Sequence, residues 1–108
     1  MIRVINLRER KEDCNTIRID RGTPLGNPFK MKDESERDRV IAKYRVWLWQ
    51  KIQDHDAQVL AELKKIIHIE KVKGVVYLGC WCSPKKCHGS VVRNCITWLK
   101  CNLPATVQ

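Results

Sequence analysis

The chain has 108 residues, a length that suits one domain, spanning 1–108, with a single hydrophobic core. Its 21 Lys and Arg residues outnumber 12 Asp and Glu residues, and the formal net charge of +9 favours partners that carry phosphate. The N-terminal segment contains no apolar run long enough for a signal peptide or a membrane span, so we expect a cytoplasmic protein without a membrane partner. In that compartment, six cysteines favour metal binding or catalysis over disulfides.

Two segments near the N-terminus have the composition of β-strands. Residues 2–7 (IRVINL) alternate and are rich in β-branched side chains, and the pattern returns at 16–21. A polar turn separates the two segments, which suggests a β-hairpin. Residues 21–30 (RGTPLGNPFK) follow, and their two glycines and two prolines predict a loop.

Two amphipathic helices are predicted next. Ser35 is the expected cap of the first helix, whose apolar residues recur at helical spacing: Val40, Ile41, Tyr44, Trp47, Leu48 and Ile52. Asp54 or Asp56 is expected to cap the second, whose apolar stripe is Val59, Leu60, Leu63, Ile66 and Ile67. We expect His68 to end the second helix, where a histidine interacts favourably with the helix dipole.

A third strand and a last helix complete the predicted fold. Residues 75–78 are a continuous apolar run after Gly74, which is typical of a central strand covered on both faces. Residues 91–99 then form a helical stripe in which Cys95, together with Cys101 just beyond it, is expected to fill the core. The sequence therefore predicts a small single α/β domain, in the order β-β-α-α-β-α, with a central third strand packed by helices.

Residues 78–89 (LGCWCSPKKCHG) carry most of the chemistry in the sequence. Here the third strand ends and the last helix begins, so Cys82 and Cys87 are expected to have a lowered pKa close to the helix N-terminus and two lysines. Either thiol is a candidate nucleophile, and His88 is the candidate acid or base. The backbone amides around His88, Gly89 and Ser90 are expected to bind an anion.

The same segment has a metal interpretation. Cys80, Cys82, Cys87 and His88 offer the sulfur and imidazole ligands that zinc prefers. Their spacing is atypical, because the adjacent Cys87 and His88 reach one ion with difficulty, and Cys14 is a further possible ligand. Buried sulfur with a structural role is the third interpretation.

The glycine- and proline-rich loop is the second candidate region. Its simplest role is a connecting turn that anchors Leu25 and Phe29 in the core. Arg21 and Asn27 add groups that bind phosphate or carboxylate, and Gly22 and Gly26 let the backbone approach a ligand. Trp81 can stack on a nucleobase, although we favour its packing under the last helix beside Trp98.

The blocks TPLGNPF, YRxWL and LGCWCxPxxCHG together resemble a family of small uncharacterised proteins from bacteriophages, other viruses and bacteria. The resemblance runs roughly from Asn6 to Leu99 and implies a small α/β domain in which both loops form one site. It points to these residues of the two blocks: Arg21, Gly22, Pro24, Leu25, Gly26, Asn27, Pro28, Phe29, Gly79, Cys80, Trp81, Cys82, Pro84, Cys87, His88 and Gly89. Family members often have an acidic residue where this chain has Ser90. If that acid is catalytic in the family, we expect this chain to bind its ligand without turning it over.

Three functional hypotheses follow, and the residues leave open whether the protein is an enzyme. The leading one is a nucleotide- or phosphate-ligand-binding domain, with nucleotide processing if His88 and a thiol react. The second is a zinc-stabilised module that binds nucleic acid through its excess of Lys and Arg. The third is a viral effector, acting in the host cytoplasm, that binds a host protein through exposed aromatic residues such as Trp49.

Overall fold

A three-stranded parallel sheet and three α-helices make up the part of the chain that this computed structural model describes, residues 1–9, 15–82 and 85–102. The strands are β1 (Ile2–Asn6), β2 (Thr16–Arg18) and β3 (Val76–Cys80), and their order in the sheet is β1-β3-β2. The helices are α1 (Arg37–Gln53), α2 (Ala57–Lys73) and α3 (Gly89–Asn102). The predicted α/β class, the order β-β-α-α-β-α and the central third strand are confirmed. None of these helices is both long and apolar enough to cross a membrane.

The predicted hairpin between the first two strands is wrong. β1 and β2 lie on opposite sides of β3 and both pair with it in parallel, with Ile2 beside Val76 and Ile17 beside Leu78. A hairpin would leave β3, the most apolar strand, at an edge, whereas the observed order hydrogen-bonds it on both sides. All three strands therefore end at the same edge of the sheet.

The helices pack on one face of the sheet. Alternation places Val76, Leu78 and Cys80 on that face, in one core cluster with residues from all three helices. On the opposite face, the Leu7 side chain covers Gly79 and leaves no room for a Cβ there.

In α3, Cys95 packs against the core as expected, and burial raises its pKa to about 11. Cys101 is exposed, so the expectation that it fills the core is wrong.

The start of α1 differs from the prediction. Ser35 lies in a short 3-10 helix, Glu34–Glu36, where its backbone N–H donates to Asp33 Oδ1 at 2.9 Å. The N-cap of α1 is Glu36, which makes no capping bond with its side chain. Asp33 is the N-cap of this 3-10 helix and accepts from a backbone N–H that has no partner within the helix. The helical segment therefore begins before the predicted cap, Ser35.

The bounds of α2 are partly as predicted. Asp56 is its N-cap and accepts a hydrogen bond from the Val59 N–H at 3.0 Å, which confirms one of the two proposed caps. His68 does not end the helix, which continues to Lys73 and stops at Gly74, where φ is +81°. The left-handed conformation that ends this helix favours glycine, so Gly74 rather than His68 marks the terminus.

Glu70 on α2 is buried between two cationic groups, the N-terminal ammonium of Met1 at 2.8 Å and the Nζ of Lys100. Burial acts to raise its pKa, but Lys100 and the ammonium outweigh burial and lower the pKa below its usual value. A carboxyl group whose folded-state pKa is lowered stabilises the fold above its unfolded-state pKa. That contribution is lost as the pH falls through the folded-state pKa.

We expect Glu70→Gln to lower the free energy of unfolding at neutral pH by roughly 1–3 kcal/mol, because two charge-assisted hydrogen bonds are lost. The difference from the wild type should shrink as the pH falls into the range where the wild-type carboxylate is protonated. Urea unfolding at several pH values measures both effects. Glu62→Gln, the same change on the same helix, is the control, and equal behaviour of the two variants would contradict the prediction.

Candidate functional site

A cavity of about 370 Å³ opens at the edge of the sheet where β2 and β3 end. The loop after β2, the start of α1 and the segment between β3 and α3 surround it. In open parallel sheets, ligands bind at this edge, where the connections on either side of a strand diverge. Seven of the predicted site residues line the cavity together: Arg21, Asn27, Cys80, Trp81, Cys82, Cys87 and His88. The predicted convergence of the two loops is therefore present.

The other four predicted ligand-binding residues do not line the cavity but shape the backbone around it. Gly22 takes a left-handed conformation, with φ of +92°, in the turn after β2. A Cβ on Gly26 would lie 2.5 Å from the Asp20 carbonyl oxygen, and one on Gly89 would lie 2.8 Å from a Val4 methyl group. Ser90 donates its hydroxyl to the Cys87 carbonyl oxygen at 3.1 Å.

Arg21 and Asn27 hold the first loop in shape. The Arg21 guanidinium donates to the carbonyl oxygens of Asn27 at 2.6 Å and Phe29 at 2.8 Å. The Asn27 Oδ1 accepts from the Phe29 N–H at 2.9 Å, as in an Asx turn. These two carbonyl groups are neutral, so the bonds to them fix the position of the guanidinium without cancelling its charge.

Trp81 occupies the mouth of the cavity, and our preference for packing under α3 is wrong. Its side chain is 56% exposed, and its Nε1–H donates to Asp20 Oδ2 at 3.1 Å. Trp98 instead contacts Trp49, with ring centroids 5.0 Å apart. Because β3 ends at Cys80, the residue that follows leaves the sheet and is not covered by the helix.

Asp20 is the main site residue that sequence reasoning missed. It is buried, accepts two hydrogen bonds from Arg18 and one from Trp81, and has a lowered pKa, to which the bond from Arg18 contributes most. The Ile19 N–H donates to the Gly79 carbonyl oxygen, so Asp20 follows directly on residues paired with β3. Its place after a parallel strand was the available signal, but the hairpin prediction concealed it.

Further cavity residues lie on α1 or just before it, Met31, Arg37, Val40 and Ile41, and Lys86 comes from the segment between β3 and α3. Arg37 donates to both carboxylate oxygens of Glu34 at 2.7 Å and to the Lys86 carbonyl oxygen at 2.7 Å. It therefore ties the start of α1 to the cysteine segment. Nothing in the local sequence indicates this long-range contact.

The thiols of Cys80 and Cys87 are in contact, with their Sγ atoms 3.2 Å apart. The hydrogen bond with Cys80 and burial raise the pKa of Cys87, although the Gly89 N–H donates to its sulfur at 3.3 Å. The expected lowering of the Cys87 pKa is therefore wrong, because the hydrogen bond with Cys80 and burial together outweigh the favourable helix start. Cys82 also lies on the cavity wall and is half-buried.

His88 is buried, and its Nε2 lies 2.5 Å from the Ile19 carbonyl oxygen. A carbonyl oxygen accepts, so Nε2 carries the hydrogen and Nδ1 of the neutral ring is an acceptor. Burial and, to a smaller extent, the charge of Arg21 lower the pKa of His88. The ring is therefore neutral at pH 7, which suits a proton acceptor better than a proton donor.

The zinc interpretation stays a prediction. Among the described residues, no group of three or more His, Cys, Asp or Glu side chains is arranged to hold a metal ion. The Nε2 of His88 is already bonded to Ile19. Cys14, the additional ligand considered above, and Pro84 of the cysteine motif lie outside the described residues.

Trp49, the proposed anchor of the effector hypothesis, lies away from the cavity. It is exposed and, with Trp98 and the exposed Val46, lines an apolar groove between α1 and α3. This exposure is compatible with a binding surface, and binding of a host protein stays a prediction.

Comparison with known proteins agrees with the resemblance seen in the sequence. Residues 5–98 match the family model "Domain of unknown function (DUF4326)". The chain belongs to this family. It is also similar to the uncharacterized 12.4 kDa protein in the nrdA-td intergenic region of Enterobacteria phage T4, with 31% identity over 99 residues, 92% of this chain and 81% of the phage protein. No solved structure matches the chain significantly.

Proposed function

We propose that the cavity binds a nucleotide, with the base stacked on Trp81 and the phosphate near Lys86 and Arg21. The observation that carries this proposal is that Trp81 is exposed but held in one orientation. Its indole is more than half exposed at the mouth of a cavity, yet Asp20 holds it by a hydrogen bond. An exposed aromatic ring in a fixed orientation is a stacking surface that loses little conformational freedom when a base binds.

The charges on the cavity wall support the phosphate part of the proposal. Arg21, Arg37 and Lys86 line the cavity, where Arg37 is paired with Glu34. The one carboxylate among the described lining residues, Asp20, is paired with Arg18. Among the described residues, Arg21 donates only to neutral backbone carbonyl groups, and the Lys86 Nζ lies 3.9 Å from Asp38 Oδ1, an exposed and weak ion pair. Positive charge is therefore available to a bound phosphate.

The shape of the cavity favours a mononucleotide over a nucleic-acid strand. A volume of about 370 Å³ falls in the range of small-molecule sites, and Met31, Val40 and Ile41 add an apolar wall. A strand would need an open groove with a series of phosphate contacts. We therefore assign the cavity to a nucleoside monophosphate or a ligand of similar size.

A processing reaction would add a role for His88. Its neutral ring, with Nδ1 as the acceptor, suits the removal of a proton from a nucleophile at the bound ligand. The Cys87 thiol is buried with a raised pKa, so the half-buried Cys82 is the better placed nucleophile of the two proposed. Turnover of a bound nucleotide, followed by chromatography, distinguishes processing from binding alone.

Isothermal titration with the four ribonucleoside monophosphates tests the proposal, with Lys86→Gln and Lys85→Gln as a matched pair. Lys86 lines the cavity, whereas its neighbour Lys85 pairs with Glu34. We expect Lys86→Gln to weaken binding roughly 5-fold, about 1 kcal/mol for an exposed ion contact, and Lys85→Gln to leave it unchanged. Absence of binding by the wild type at millimolar nucleotide would contradict the proposal, and equal effects of both variants would contradict the phosphate position.

A further inference from the structure

Two buried cysteines form a pair at the junction of β3 and α3. Cys80 is the last residue of β3, and Cys87 lies two residues before the first residue of α3. Their side chains are 1% and 6% exposed, and the Sγ atoms are 3.2 Å apart. Chain segments from two different elements therefore bring these thiols into contact.

The pair borders the cavity although both residues are buried. Both cysteines line the cavity at the edge of the sheet, so a small reagent that enters the cavity comes next to these two residues. The hydrogen bond with Cys80 and burial raise the pKa of Cys87 and slow its reaction, and the Gly89 N–H, which donates to Cys87 Sγ at 3.3 Å, offsets part of this effect by favouring negative charge on the sulfur when it reacts.

We propose that Cys80 and Cys87 are a reversible redox pair, oxidised to a disulfide by a small peroxide that enters the cavity. In the first step, Cys87 Sγ, having released its proton, attacks one oxygen of hydrogen peroxide. The O–O bond breaks, Cys87 becomes a sulfenic acid, and the second oxygen leaves as water with that proton. Cys80 Sγ then attacks the sulfenic sulfur, the S–S bond forms, and the hydroxyl group leaves as water with the Cys80 proton. Two thiols and one peroxide thus give one disulfide and two water molecules.

The disulfide would join the end of β3 to the residues just before α3. It would enclose the segment from 81 to 86, which supplies Trp81, Cys82 and Lys86 to the cavity wall. Oxidation would therefore restrict the motion of these three residues. This redox reaction does not depend on the nucleotide proposal.

Peptide mapping of the wild-type protein tests the pair directly. The protein is treated with hydrogen peroxide, its free thiols are alkylated, and it is digested with trypsin. Cleavage at lysine and arginine separates residues 74–85, which contain Cys80 and Cys82, from residues 87–93, which contain Cys87. We expect these peptides to be linked, with fragmentation showing an alkylated Cys82 and a Cys80–Cys87 bond that dithiothreitol reverses.

Two other outcomes would overturn the proposal. One is alkylation of both Cys80 and Cys87 after peroxide treatment, and the other is a link that uses Cys82 in place of Cys80. The exposed Cys101 serves as an internal measure that the oxidant was active. Cys82→Ser, which leaves the pair intact, should form the same link, whereas Cys80→Ser should not.

Discussion

Tyr44→Ala is expected to lower the free energy of unfolding by about 3–5 kcal/mol, the usual cost of deleting a large buried side chain. Tyr44 is fully buried on α1 and belongs to the core cluster. Its ring lies 4.9 Å from the His88 ring, and its hydroxyl donates to the Leu25 carbonyl oxygen at 2.6 Å. This one side chain therefore connects α1, the glycine- and proline-rich loop and the start of α3.

Tyr44→Phe isolates the hydroxyl contribution. The aromatic ring stays in the core, but the Leu25 carbonyl oxygen loses its partner, so we expect a loss of about 1–3 kcal/mol. Urea unfolding followed by circular dichroism measures both variants. Tyr77→Phe is the control, because Tyr77 is half-buried on β3 and its hydroxyl bonds to none of the described residues. A Tyr44→Phe variant as stable as Tyr77→Phe would contradict the role of this hydrogen bond.

Trp81→Ala is expected to weaken nucleotide binding roughly 5- to 150-fold, the equivalent of about 1–3 kcal/mol for one base stacked on an aromatic ring. Stability should change little, since this side chain is largely exposed. Trp81→Phe keeps an aromatic surface but loses the hydrogen bond to Asp20, so its affinity should be intermediate.

Trp98→Ala provides the matched control for this substitution. Trp98 is exposed to a similar degree but lies on α3 beside Trp49, outside the cavity. Isothermal titration with a nucleoside monophosphate should show affinity equal to the wild type for Trp98→Ala. Equal losses for the two alanine variants would show that Trp81 is not a stacking surface.

The architecture was largely predictable because its strongest signals are local. The apolar run of β3 and the stripes of the three helices each predict an element, and the order of elements follows from the chain. Strand direction was not predictable, because the alternation in β1 and β2 is the same in a hairpin and in a parallel sheet. The error on that point also concealed Asp20, whose importance comes from its neighbour in space, Trp81, 61 residues away.

The site was predicted in its parts but not in its electrostatics. The two loops converge as the family resemblance implies, and seven predicted residues share the cavity. Cys87 was expected to have a lowered pKa because it precedes a helix, but contact with Cys80 and burial raise it. Burial and side-chain pairing are tertiary properties, and a sequence motif does not contain them.

The most direct test of the central proposal is a nuclear magnetic resonance titration of the labelled wild-type protein with a nucleoside monophosphate. The chain has four tryptophans, so the indole N–H signal of Trp81 can be assigned with the Trp81→Phe variant. Binding in the cavity predicts a shift of this signal together with the amides of Asp20, Lys86 and His88. Unchanged signals at millimolar nucleotide, or shifts confined to Trp49 and Trp98, would contradict it.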